Sequence, residues 1–389
     1  MRKLLLIAAL AMVFPISSQA KTLDDLLVEK GVVSEEGRAS NHGSKVYWNK
    51  GTRLEFPDTG FSTNVFTEIR TRYEFFDASD KTDESNSSNV DVRNARIGVS
   101  GHMLNREFTY FVKAALTSEQ AVENDLIENA GLLDAYITWA PCDMGSVTLG
   151  QFKSAISRQY NTALVNLQLP DRSVVSDHFT LGRHQGAAFA LDAIDGVSIV
   201  GQVLNGEGIN GVGDNTDHVY AVAVRVPLAG EIDSFSESDV EHTQDLAADI
   251  GAAYAYIKEG DLDHSVISAD LNVKSNGLSA NLEYFQGNQD VAGGSSITDR
   301  GGYAQAGYFL TPKELEIAAR YGYLDCETGE GLCMGDGSKV NEASVALNYY
   351  WWKHHLKGQV GYSYINQDAG GGAEDINSNR WLLQLSGWF

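Results

Sequence analysis

The chain has 389 residues and is strongly acidic, with 52 Asp and Glu against 29 Lys and Arg and a net charge of −23. That balance argues against a nucleic-acid partner, because binding a polyphosphate draws on clustered cations. Gly (39) and Tyr (17) are plentiful while Pro (6) and Cys (3) are scarce, which suits short strands and turns and leaves no Pro-rich linker at which to divide the chain.

Arg2 and Lys3 precede an apolar run from Leu4 to Phe14, and Ser18-Gln19-Ala20 puts small residues ahead of Lys21. Residues 1–20 read as a secretory signal peptide, too short to span a bilayer. No later stretch reaches eighteen consecutive apolar residues, so no transmembrane helix is predicted. Residues 21–44 read as a periplasmic N-terminal helix and linker. Leu23, Leu26, Leu27 and Val28 recur at helical spacing among acids, and Gly31 stops the helix.

From residue 61 the apolar period becomes two. Val65, Thr67, Ile69, Thr71, Tyr73 and Phe75 share one face, and Glu68, Arg70, Arg72 and Glu74 the other. One face suits lipid and the other water, the repeat of a transmembrane barrel strand. The same alternation predicts sixteen strands, starting near residues 61, 89, 106, 131, 145, 182, 196, 218, 246, 263, 278, 299, 314, 339, 355 and 379. The connections alternate between short turns, such as Asn276-Gly277, and longer loops rich in Gly, Ser and Asp. Short periplasmic turns and long outer loops are the asymmetry of outer-membrane barrels. Residues 228–245 break it, being long and acidic where a short turn is due. Tyr349-Tyr350-Trp351-Trp352 and Trp388-Phe389 close strands with aromatics, as interface girdles do. The fold expected over residues 45–389 is therefore an all-β, antiparallel transmembrane barrel of about sixteen strands.

Cys326 and Cys333 bracket a predicted outer loop and could close a disulfide in an oxidising compartment. No GxSxG, HExxH or zinc-ligand spacing occurs, so no enzyme activity, metal site or cofactor is predicted.

The segment from Gly150 to Gly206 reads GQFKSAISRQY, then LPDRSVV, then FTLGRHQGAAFALDAIDGVSIVGQVLNG. It resembles the phosphate-selective porin O and P family. Two further stretches carry the likeness: GGYAQAGYFLTPKELEIAARYGY at 301–323 and VRNARIGVSG at 92–101. The resemblance implies a sixteen-stranded trimeric porin in the bacterial outer membrane, with a long loop folded into each pore and basic residues lining it. That loop maps to Ser154–Leu181 and contains Arg158 and Arg172.

Parity along the strands turns Arg70, Arg72, Arg96, Lys113, Lys153 and Arg225 inward, with Lys274, Arg320, Lys357 and Arg380. With Arg158 and Arg172 these are the candidate pore-lining, anion-attracting residues. Inward acids compete with them: Glu68, Glu74, Asp134, Asp270, Glu283, Glu316 and Glu342. The function expected is passive diffusion of small hydrophilic solutes, biased to anions such as phosphate. The alternative is a plugged barrel that binds or adheres through its outer loops. Expected partners are outer-membrane lipid and lipopolysaccharide, two further copies of the chain, and small anionic or polar solutes.

Overall fold

The computed structural model describes residues 44–78, 86–117, 119–120, 126–127, 131–192, 196–211, 218–259, 262–290, 296–327, 338–368 and 375–389. The expected signal peptide and N-terminal helix lie outside these residues.

A hairpin of β1 (Lys45–Trp48) and β2 (Thr52–Phe56) leads into β3 (Phe61–Ala78), β4 (Ser87–Met103) and β5 (Phe108–Ala115). A two-residue pair, β6 (Glu119–Gln120) and β7 (Leu126–Ile127), stands apart from the main sheet. The wall continues through β8 (Gly131–Cys142), β9 (Gly145–Lys153), β10 (Arg183–Asp192), β11 (Ser198–Asn205) and β12 (His218–Ala229). It goes on with β13 (Ala247–Glu259), β14 (Leu262–Ser275), β15 (Leu278–Asp290) and β16 (Ile297–Thr311). The last strands are β17 (Leu315–Cys326), β18 (Ser338–Trp352), β19 (Leu356–Asp368) and β20 (Ile376–Trp388). Each of the sixteen wall strands begins within three residues of its expected start.

Consecutive wall strands pair antiparallel, and β20 returns to β3 from Ser378↔Ala78 to Trp388↔Glu68, closing a sixteen-stranded barrel. Closure is what lets a sheet cross lipid, because no row of backbone groups is left unpaired. At the seam Phe389 exchanges backbone bonds with Thr67. Below that point β2 takes over the edge of β3, from Thr52↔Val65 to Phe56↔Phe61. The N-terminal hairpin thus continues the wall where the last residue stops. Trp48 packs on Trp352 and His355, and His355 stacks on Trp388.

Alternation holds along the strands. On β18, Val345, Leu347 and Tyr349 are exposed on the outer face, while Glu342, Ser344 and Asn348 are buried inside. A charge turned the other way would cost about 2–4 kcal/mol at mid-membrane.

The interior is not empty. The segment 154–182 between β9 and β10 folds into the lumen and carries two short helices, α1 (Arg158–Asn161) and α2 (Val174–Phe179). Ile156, Val175 and Phe179 of this inner loop pack with Phe285, Leu324 and Val340 of the wall in one apolar cluster. The long acidic connection that broke the turn pattern, residues 230–246, begins on the rim of short turns and also enters the barrel. There the Glu237 amide donates to the Asn166 carbonyl of the inner loop.

Candidate channel and its charged walls

The inner loop lies against the wall from β14 round through β20 to Arg70 and Arg72 of β3, and inward carboxylates help to hold it there. Glu283 accepts from the Arg158 and Gln159 amides that open α1, at 2.7 and 3.3 Å. Glu342 accepts from the Ser173 hydroxyl and the Val174 amide that open α2. The three amides are N–H groups that a helix start leaves unpaired. Glu316 accepts from Gln168 Nε2 at 2.6 Å. Small residues give the loop its seat: a Cβ on Gly307 would stand 1.8 Å from Gln168 Nε2, and one on Gly361 would stand 3.0 Å from the Pro170 ring.

Several of the expected pore cations also hold the loop. Lys357 donates to the Leu167 carbonyl, Arg70 to the Pro170 carbonyl at 2.6 Å, and Arg320 to the Asp171 and Arg172 carbonyls and to Glu342. Arg72 clamps the Asp171 carboxylate at 2.6 and 3.0 Å, and Arg380 bridges Glu74 and Asp171. Arg158 is only 2% exposed. Its guanidinium lies between the loop and the wall, 3.5 Å from Asp270 and 3.3 Å from the Tyr303 hydroxyl. Arg225 pairs with Asp249 and Asp270, and Lys274 donates to the Asp233 carbonyl.

The other side of the loop faces β3, β4, β5, β8, β9 and β10, and there the balance of charge is positive. Lys153 Nζ and Arg172 Nη2 both donate to the Tyr160 carbonyl, at 2.6 and 3.2 Å, and both lie over the Tyr160 ring. Arg183 binds Asp134 through two nitrogens, at 2.9 and 3.2 Å. Lys113 stands 3.8 Å from Glu68 and 3.7 Å from Asp134, and Arg96 stands 3.4 Å from Glu68. These side chains form one group, in which Lys153 is repelled by Arg172, Arg183 and Lys113, and Arg172 by Arg183 and Arg96. Arg96 and Lys113 share Glu68, Lys113 and Arg183 share Asp134, and Lys153 and Arg172 hold carbonyl oxygens.

All twelve expected cations are thus found inside the barrel, in three groups. Arg96, Lys113, Lys153 and Arg172 gather on the basic side of the loop; Arg70, Arg72, Arg158, Arg320, Lys357 and Arg380 secure the loop or its rim. Arg225 and Lys274 sit along the wall beneath it. Sequence reasoning passed over Arg183, Asp171 and Glu237. Arg183 was legible in principle, since it stands at the start of an expected strand on the inward parity. Cys326 is disulfide-bonded and Cys142 is a free, exposed thiol; Cys333, the expected partner of Cys326, lies outside the described residues.

The comparisons with known proteins agree with this architecture. The model of a family described as phosphate-selective porin O and P matches residues 65–249 and 252–380. No curated protein matches the chain significantly. An anion-selective porin from Comamonas acidovorans superposes with a TM-score of 0.57 at 10% identity, covering 85% of this chain and 100% of its own. The trimer form of OmpT from Vibrio cholerae gives 0.56 at 11% identity, over 84% and 99% of the two chains. The channel DcaP of Acinetobacter baumannii gives 0.55 at 12%, over 85% and 98%. Likeness at such identities speaks for the fold.

Proposed function

The chain belongs to the phosphate-selective porin O and P family and is an outer-membrane porin, a channel for passive diffusion of small hydrophilic solutes; we propose that this channel favours anions, phosphate among them. One observation carries the proposal. The inward acids Glu283, Glu316 and Glu342 are taken up in holding the inner loop, while Arg96, Lys113, Lys153, Arg172 and Arg183 gather on its other side. A solute passing between the loop and that wall meets an excess of positive charge where low-dielectric protein concentrates the field. Arg and Lys donors of this kind bind and release phosphate-type oxyanions through charge-assisted hydrogen bonds. Transport of this sort needs no chemistry on the solute and no cofactor.

Three copies are proposed to assemble through their apolar outer faces, a reading supported by the trimer form of a similar barrel. Single-channel recording in planar bilayers tests the function. Discrete ohmic steps in KCl, partly blocked by added inorganic phosphate, are the expected result. Electrical silence of correctly folded protein would favour the plugged, adhesive barrel instead.

A further inference from the structure

The inner loop is held on its wall side by strand residues. At its lower edge it is held by something else, the connection 230–246 that comes in from the rim of short turns. Glu237 lies at that contact with no exposed surface. Its carboxylate accepts from Gln159 Nε2 at 2.7 Å, the Gln168 amide at 2.7 Å and Gln305 Nε2 at 2.9 Å. Two of these donors belong to the inner loop and one to β16, so a single carboxylate ties both ends of the loop's first half to the barrel. Its backbone makes two further bonds, from its amide to the Asn166 carbonyl and from Asn281 Nδ2 to its own carbonyl. The connection is braced in turn. Ser238 donates to Glu316, Ser236 bonds His354, and Asp239 accepts from the Thr243 and Gly277 amides.

We propose that Glu237 is a positioning residue for the channel: inserted from the periplasmic side, it fixes the inner loop and so sets the width and steadiness of the passage on the loop's other face. The inference rests on the porin reading. The chemistry is specific, because every partner of the carboxylate is a donor. A glutamine in its place has nearly the same shape but turns an NH₂ toward N–H groups, leaving a buried donor unpaired, which is costly. A residue that merely filled space would tolerate that exchange.

The test is single-channel recording of full-length protein, native and Glu237→Gln. The expected result is a single steady conductance level for the native protein and its loss in Glu237→Gln, with a higher mean conductance and a noisier open level. Heat-modifiable migration should be kept throughout. Glu237→Gln channels with the native level and noise would overturn the inference while leaving the porin standing. A silent native protein would instead strike the porin reading. If Glu237→Gln fails to assemble, Gln159→Met with Gln305→Met removes two of the three donors, and the same two outcomes decide.

Discussion

Lys153 and Arg158 flank the point where the inner loop leaves the wall, and the structure gives them different work. Lys153 shares the Tyr160 carbonyl with Arg172 on the basic side, whereas Arg158 is buried against Asp270, Tyr303 and Glu283. Replacing Lys153 or Arg172 by Glu is therefore expected to move the anion-to-cation permeability ratio toward cations. The shift should be larger in dilute salt, where the screening length is about 10 Å at 0.1 M against about 3 Å at 1 M. Arg158→Glu should act otherwise. It puts a carboxylate among Asp270 and Glu283, and losing one partner of a buried pair costs about 3–5 kcal/mol. The expected reading is a disturbed conductance and a lower temperature of heat modification, checked by recording and gel migration. Alternation in the sequence tells which face a side chain takes, and it placed both cations inside. It carries no information about what lies over that face, so it could not separate a residue beside open water from one beneath a loop.

At the scale of elements, the strands were legible because a two-residue period with lipid on one side leaves little freedom in register. The β1–β2 hairpin was not, since five residues or fewer hold too few alternations to rise above chance. The inner loop was legible from its family likeness; the entry of residues 230–246 was visible only as an exception to the turn pattern. The loop's seat gives a direct test. Gly307→Val should push Gln168 away from Ser279 and Glu316, since even a Cβ there meets Gln168 Nε2, and bilayer recording should show altered conductance in a barrel that still assembles. The seam gives another. Deleting Trp388-Phe389 removes the backbone bonds to Thr67 and His355 and the ring stacked on His355. It opens an edge in lipid, so the yield of heat-modifiable protein should fall. The rims are testable by thiol labelling: an impermeant reagent should reach the exposed Cys142 only after the outer membrane of cells is opened. Labelling in intact cells would invert the topology.

At the scale of the whole molecule, a chain with a net charge of −23 is proposed to pass anions, and the two facts are compatible because selectivity depends on where charge lies. Net charge governs solubility and long-range association, and it falls off within a screening length. Inside the barrel the acids of β15, β17 and β18 are bonded to the inner loop, which leaves the opposite wall basic. Two unit charges 4 Å apart interact by about 1 kcal/mol in bulk water and about 4 kcal/mol at an effective dielectric constant of 20. A few cations in the narrows therefore outweigh many acids on solvated loops. The most direct measurement is the reversal potential of the native channel across a KCl gradient in a planar bilayer. The account predicts a sign that reports chloride as the more permeant ion, growing as both solutions are diluted; a reversal potential of the opposite sign, reporting potassium as the preferred ion, would contradict it.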